Sequence, residues 1–258
     1  MDPINLKNTL KQGGKVYGTM LWGIDSARLT SFLDSEFLDY AIIEAEHAPR
    51  TLYQINSMTT ALRSKNITSI VRITSPNPEI AGATIDAGAD GILVPYCEDI
   101  EELKLSFGRT YFNPLKGEYL KKVLDTGEFP SKKSEDYLRE KSKSRLFILG
   151  IESVPAVNNL ENMINSVENI DGIFVGPNDL TTSMGILDER SSKEYEDILK
   201  KIIETSEKYS IPVMIHHANM KESEFSLKLG SRFVLHGSDV SLLSQKVSED
   251  FSKLFRAW

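Results

Sequence analysis

The sequence predicts an α/β protein folded as one (β/α)8 TIM barrel. Three observations lead there. Short β-branched apolar runs recur eight times, most are followed by an amphipathic stretch, and 258 residues suit a single barrel domain over 1–258. Such alternation implies parallel strands with right-handed crossovers, and eight strands close the sheet. A doubly wound open sheet is the structural rival.

In chain order the expected strands are Val16 to Leu21, Tyr40 to Glu46, Ser69 to Ile73, Gly91 to Tyr96, Leu146 to Glu152, Gly172 to Gly176, Ile211 to His216 and Arg232 to His236. Most are continuously apolar, as in Ile92-Leu93-Val94 and Phe147-Ile148-Leu149, which suits a parallel sheet covered on both faces. Between them, Asn77-Pro78-Glu79 places a capping residue before a first-turn proline, and Ser191-Ser192-Lys193-Glu194 has capping-box spacing. Tyr195, Ile198, Leu199, Ile202 and Ile203 then repeat at helical period, the mark of a surface helix. One stretch breaks the rhythm. From about Gly108 to Arg145 a long insertion is expected in the βα region, its aromatic, Pro and Gly half ordered and its charged half, Ser131 to Ser144, a solvated helix or a mobile lid.

Composition narrows the function. A net charge of −7, with four His and no dense Lys/Arg stripe, leaves no footprint for nucleic acid. The single cysteine, Cys97, can form neither an internal disulfide nor a cysteine metal cluster. The first residues, Met1 to Asn8, show no apolar signal stretch, and no window approaches the ~20 apolar residues of a membrane span. A cytoplasmic protein with no membrane partner is expected. No lysine ends a strand, so a Schiff-base aldolase lacks its nucleophile. No glycine-rich nucleotide motif occurs either, so no nucleotide cofactor is expected.

In a barrel, chemistry belongs at the C-terminal strand ends. Those ends carry Trp22, then Glu44, Glu46 and His47, Arg72, Pro95, Glu152, Gly176-Pro177-Asn178-Asp179, His216-His217 and Gly237-Ser238-Asp239. Glu152 and Asp179 close consecutive strands. Strands about 4.8 Å apart allow them to share a hard divalent cation; alternatively Glu152 caps the next helix and Asp179 bonds backbone in a turn. Arg72, inside an apolar run, either holds a substrate anion or forms a structural ion pair with Glu44 or Glu46. His47 is a candidate acid or base, or simply a hydrogen-bonded histidine. His216 and His217, being adjacent, must face opposite sides of a strand. Gly176-Pro177 either brings backbone close to a small ligand or is an ordinary turn. Cys97 has no activator in the sequence and reads as a packing residue.

Together these residues resemble the HpcH/HpaI aldolase family, metal-dependent pyruvate aldolases grouped with the citrate lyase β subunit in the phosphoenolpyruvate/pyruvate barrel superfamily. The matching pieces are Glu44-Ala45-Glu46-His47-Ala48-Pro49, Ile70-Val71-Arg72, Ile85-Asp86 through Pro95, Ile151-Glu152 and Gly172 through Leu180, in the family's order across roughly residues 15–245.

The resemblance implies that Glu152 and Asp179 bind a divalent metal, Mg²⁺ or Mn²⁺ with Co²⁺ as a further option, which also chelates pyruvate. It implies that Arg72 neutralises the enolate oxygen, and that His47 moves protons in partnership with Asp86 of a neighbouring subunit. It also implies a homo-oligomer, a hexamer built as a trimer of dimers. Gly176, Pro177 and Asn178 would line the pyruvate pocket, and Trp22 would flank the acceptor aldehyde. The implied reaction makes and breaks the carbon–carbon bond of a 4-hydroxy-2-oxo acid, giving pyruvate and an aldehyde.

Three positions depart from the family pattern: Glu44 stands for an aspartate, Gly150 for a glutamine, and the Pro114-to-Leu120 loop, with Tyr119, lacks an arginine. These departures motivate an alternative, a catalytically inactive small-acid-binding barrel. An acyl-CoA or phosphoenolpyruvate-type lyase is a further alternative, although no basic cluster awaits the CoA phosphates.

Overall fold

A computed structural model describes residues 1–31, 33 and 36–257. Its strands are β1 Val16–Leu21, β2 Tyr40–Glu44, β3 Thr68–Arg72, β4 Gly91–Val94, β5 Leu146–Gly150, β6 Gly172–Val175, β7 Val213–His217 and β8 Phe233–Ser238. They close into a barrel in chain order, and β8 returns in parallel to β1. Closure excludes the open sheet. Each expected strand is present, its ends displaced by no more than two residues. The displaced ends matter: Glu46, Tyr96, Glu152 and Gly176 lie just past the last ladder bonds, in loops that are free to turn toward the barrel axis.

Alternation of side chains sorts the core into two layers. Val16, Met20, Ile42, Ile70, Ile148 and Phe174 fill the barrel, and Leu6 and Leu10 of the helix Pro3–Lys11 join them to plug its N-terminal end. Their sequence neighbours Ala41, Ile43, Val71, Leu149 and Val175 pack outward against the helices. Each such fully buried side chain contributes about 1.5–3 kcal/mol. Tyr40 fills the space left by Gly18, and its hydroxyl donates to the Val234 carbonyl at 2.7 Å. Two residues beyond the inner layer, the same parity reaches Glu44, Arg72, Gly150, Gly176 and His216. A further step of two from Gly150 reaches Glu152. Sheet register therefore aims the site residues inward.

Asn77 caps the helix Pro78–Asp86, its side-chain oxygen accepting from Glu79 N at 2.9 Å and Ile80 N at 3.1 Å. For the helix Lys193–Lys208 the cap is Ser192, accepting from Tyr195 N at 3.2 Å, one residue later than the Ser191-to-Glu194 spacing suggests. Burial decides that register, because it carries Tyr195, Leu199, Ile202 and Ile203 into the core. The 108–145 stretch holds the end of the helix Ile100–Tyr111 and two more helices, Gly117–Thr126 and Lys132–Ser142. Leu120, Val123 and Leu138 are their buried anchors, and Leu120 and Leu124 close on Gly108. The charged half is thus a helix on the outer wall. No helix among the described residues is long and apolar enough to cross a membrane.

Candidate active site

Pairing of β2 with β3 sets Glu44 directly across from Arg72. Glu44, fully buried, accepts from Arg72 Nε at 2.6 Å through Oε2 and from the Glu46 and His47 N–H groups at 2.7 and 2.9 Å through Oε1. The other side of the guanidinium looks into the mouth: Arg72 Nη1 lies 3.2 Å from Glu46 Oε2 and 3.6 Å from Glu152 Oε1. Arg72 also sits over the Phe174 ring, 5.6 Å from its centroid. The two sequence readings of Arg72 thus divide between two edges of one group. One edge is tied to Glu44 and the other faces carboxylates that still have unmet capacity.

Glu152 is 1 % exposed, and its Oε2 accepts from Tyr96 N at 2.5 Å. Its Oε1 has no hydrogen-bond partner, and neither has Glu46 Oε2. Such orphaned buried oxygens are rare in folded proteins and call for a ligand, a water or an ion. Burial pushes the Glu152 carboxyl up to about 8, with Glu46 and Asp179 adding to the rise and Arg72 and the Tyr96 N–H opposing it. Burial also raises Glu46. The mouth holds more negative charge than Arg72 offsets, and it gains by taking up a proton or a cation.

Glycine makes the approach possible at two points. A Cβ on Gly176 would overlap Glu152 Oε1, and one on Gly150 would lie 2.6 Å from the Val94 carbonyl oxygen. The chain after β4 therefore passes close to Gly150. There Tyr96 takes φ of 42°, a left-handed conformation that costs a non-glycine residue on the order of 1 kcal/mol, and directs its N–H at Glu152.

Neither carboxylate serves as the turn or cap that the sequence left open. Ser153 caps the helix Val154–Asn165, accepting from Ala156 N. Asp179, half-buried on the short helix Pro177–Ser183, makes no hydrogen bond or ion pair with a described residue, yet is near enough to raise Glu46 and Glu152. Among the described residues no group of three or more His, Cys, Asp or Glu is set to hold a metal. The donor set is instead two carboxylates, Glu152 and Asp179, with open oxygens. That composition fits a hard divalent cation that keeps positions for water and a chelating substrate.

His47 is half-exposed, its Nε2 3.6 Å from Glu46 Oε2 and its ring stacked 6.2 Å from Trp22. Two residues outside the expected site set these loops. Asp239 accepts from the N–H groups of Trp22, Gly23 and Ile24, and Arg50 donates to the carbonyls of Leu21, Trp22 and Glu44. Asp239 was visible as a strand-end residue without a partner; Arg50 carried no signal. His216 points inward, Nε2 donating to the Gly237 carbonyl at 3.1 Å, and burial lowers its pKa. His217 points outward to Ser226 and Glu222, and burial brings it down to about 4. Cys97 is buried and pushed up to about 12, a packing thiol.

Asp86 ends the helix Pro78–Asp86 shortly before β4 begins, at the opposite end of the barrel from the mouth, and accepts from Asn113 Nδ2 at 2.6 Å. One chain alone does not bring it to His47. Trp22, Pro177, Asn178, Arg190 and His216 line a cavity of about 220 Å³ at the mouth. A second, of about 480 Å³, opens between residues 188–192 and the helix Met220–Lys228 and carries none of the mouth carboxylates.

Residues 19–245 match the family described as HpcH/HpaI aldolase/citrate lyase. The 5-keto-4-deoxy-D-glucarate aldolase of Klebsiella pneumoniae subsp. pneumoniae is 28 % identical over 230 residues, and that of Escherichia coli strain K12 is 26 % identical over 227, each match covering 87 % of this chain and 88 % of the relative. Among solved structures, the HpcH/HpaI aldolase of Desulfitobacterium hafniense DCB-2 superimposes with a TM-score of 0.82 at 21 % identity over 96 % of both chains. Citrate synthase SbnG gives 0.82 at 21 % identity over 98 % of both. At that identity the structures speak for the barrel, while the match over most of the chain speaks for descent. The chain belongs to the HpcH/HpaI aldolase/citrate lyase family and carries its carbon–carbon lyase activity on small organic acids.

Proposed function

We propose that the protein is a divalent-metal-dependent aldolase that cleaves a 4-hydroxy-2-oxo acid to pyruvate and an aldehyde and joins them in reverse. The observation that carries this reading is the open Oε1 of buried Glu152, 3.6 Å from Arg72 Nη1, with the carboxylate of Asp179 near enough to add its charge. Glu152 and Asp179 would hold the cation, with the bare backbone of Gly176 beside them. When bound, a divalent metal supplies Lewis acidity that favours the enolate of pyruvate.

The chain's own groups do the rest. Glu44 fixes Arg72, whose opposite edge, facing the mouth beside Glu46 and Glu152, stabilises the oxygen that gains charge as the enolate forms. His47 takes the C4 hydroxyl proton; the C3–C4 bond breaks, its electron pair passes into the pyruvate enolate, and a proton delivered to C3 completes pyruvate. Gly176, Pro177 and Asn178 bind the pyruvate half, and Trp22, stacked near His47, borders the aldehyde half. The relatives named as 5-keto-4-deoxy-D-glucarate aldolases support cleavage of a hydroxylated oxo acid.

In this reading Asp86 of a second copy partners His47 in a trimer of dimers. The helix Asp239–Arg256 supports assembly, because none of its side chains is buried and Leu243, Val247, Phe251 and Leu254 share one exposed face. Apolar stripes of that size mark an interface. The lone buried thiol, Cys97, suits a reducing cytoplasm. Pyruvate release from 4-hydroxy-2-oxo acids, coupled to lactate dehydrogenase, tests the proposal. Activity should require Mg²⁺ or Mn²⁺, vanish on chelation and return when metal is restored; release that persists through exhaustive chelation would contradict it.

A further inference from the structure

The loop that follows β1 is gripped by two charged side chains for which the reaction so far has no use. Asp239, which follows β8, takes three successive N–H groups of that loop. Its Oδ1 accepts from Trp22 at 2.8 Å and Gly23 at 3.1 Å, and its Oδ2 from Gly23 at 3.0 Å and Ile24 at 2.6 Å. Successive N–H groups converge on bound anions in the same way. From the other side comes Arg50, just ahead of the helix Leu52–Ser64. Its Nη2 donates to the carbonyls of Trp22 at 2.7 Å and Leu21 at 3.2 Å, and its Nε to the Glu44 carbonyl at 2.7 Å. Both backbone polar groups of Trp22 are therefore held by charge, the N–H by an anion and the carbonyl by a cation.

This clamp ties the ends of β8, β1 and β2 together. Burial lowers the pKa of Arg50, and the carboxylates of Asp25, Asp239 and Glu44 oppose the fall. Gly23 lets the loop come close, since a Cβ there would lie 2.8 Å from Val240 Cγ2. Both oxygens of Asp239 are engaged by the loop, unlike Glu152 Oε1. What the clamp carries is the Trp22 ring, which lines the 220 Å³ cavity with Pro177, Asn178 and His216 and stands 6.2 Å from the His47 ring, 23° from parallel. That ring is 40 % exposed. Core packing does not place it, so its position rests on the backbone beneath it, and charge-assisted hydrogen bonds, about twice as strong as neutral ones, fix that backbone.

Resting on the aldolase reading, we propose that Asp239 and Arg50 are positioning residues that hold Trp22 as a fixed wall of the aldehyde half. Neither touches a reacting atom; both act through the Trp22 backbone. Loosening the clamp weakens the hold on the aldehyde, while enolate formation, which depends on Glu152, Asp179 and Arg72, continues. A displacement of about 1 Å in a group that orients a substrate costs up to about 100-fold. A loosened wall that still visits its place costs less, about tenfold.

The test compares two half-reactions in the metal-loaded full-length protein: exchange of the pyruvate methyl protons, and addition of pyruvate to propanal, glycolaldehyde or glyoxylate. Asp239→Asn keeps one acceptor oxygen but turns an NH₂ group toward the loop. It should raise KM for the aldehyde about tenfold and leave KM for pyruvate and the exchange rate at wild-type values. Arg50→Lys, which keeps the charge but loses the fork, should do the same more weakly, and it carries the test if Asp239→Asn does not fold. In a Trp22→Ala background neither substitution should raise the aldehyde KM further. Trp258→Phe leaves Trp22 as the single tryptophan, and its fluorescence anisotropy should fall when Asp239→Asn is added. An unchanged aldehyde KM in both clamp variants, a rise that persists without Trp22, or exchange in the wild type with addition to none of the three aldehydes overturns the clamp and leaves enolate formation standing. Absence of exchange in the wild type with every divalent metal overturns the aldolase reading as well.

Discussion

Buried carboxylates occur at both ends of the barrel, and the two ends treat them differently. At the N-terminal end, Asp171 has Lys7 Nζ at 3.2 Å on one oxygen and the Phe147 N–H at 2.9 Å and Tyr111 hydroxyl at 2.5 Å on the other. Asp90 there accepts from Ser69 N and Oγ at 3.0 and 2.8 Å and pairs with Arg63 at 3.1 Å. Every one of those oxygens is satisfied. At the C-terminal end, Glu152 Oε1 is left open: its nearest cation, Arg72 Nη1, stands 3.6 Å off and lies nearer to Glu46 Oε2, at 3.2 Å, while Arg72 Nε serves Glu44. Burial and a nearby cation are common to both ends, so neither marks function. Unpaired buried polar atoms occur elsewhere too, Glu222 Oε2 and Ser106 Oγ among them; what sets the mouth apart is an unmet carboxylate oxygen among further acidic groups at the C-terminal strand ends.

The comparison breaks most sharply under amide substitution. Glu152→Gln should reduce pyruvate release by at least about a thousandfold while leaving the urea midpoint unchanged or higher, since it removes a charge that burial disfavours. Asp171→Asn should do the reverse. It strips Lys7 of its partner, costs about 3 kcal/mol of stability, and leaves kcat of the folded protein at the wild-type value. If the two variants melted alike and lost activity alike, the two ends would not differ as described.

Arg72 joins the two behaviours in one side chain. Arg72→Met should lower kcat by roughly 100- to 1000-fold and also destabilise the fold by about 3 kcal/mol, because Glu44 would be left buried without its cation. Parallel kinetics and denaturant melts would show both losses. A loss of activity alone would mean that Glu44 is held by its backbone donors.

A smaller effect sets the two faces of β7 against each other. His217 faces outward, and burial depresses it from the ordinary value near 6.5 to about 4. Between those values the unfolded chain binds the proton and the folded protein does not, so stability is fully present above about 6.5 and is lost as pH falls toward 4. The loss is on the order of 2 kcal/mol by pH 4.5. His217→Gln should flatten the denaturant midpoint between pH 7 and pH 4.5; an unchanged slope would assign the acid sensitivity to other groups.

The strands were legible because parallel strands buried on both faces must be continuously apolar, and their parity then carried Glu44, Arg72, Glu152 and His216 to the mouth. Asp239 and Arg50 were not legible as site residues, since their partners are backbone groups of loops that close only in three dimensions. Gly150 read only as standing for a glutamine, and the close approach of the chain at Val94 and Pro95 that its missing side chain allows is visible only in three dimensions. Of the two helices between Gly117 and Ser142, the second lies in the stretch read as a solvated helix or a mobile lid, and the first was not read as a helix, resting on only Leu120 and Val123 as buried anchors. The proposed pairing of Asp86 with His47 of a second copy came from the family resemblance alone, because no pattern within one copy could suggest it.

The central claim is that the open oxygens at the mouth belong to an enolate-forming metal site. Exchange of the pyruvate methyl protons in D₂O, followed by NMR, tests it without knowledge of the aldehyde. Exchange should appear with Mg²⁺ or Mn²⁺, stop on chelation and be absent in Glu152→Gln. Exchange that is indifferent to chelation, or absent with every divalent metal, would contradict the claim.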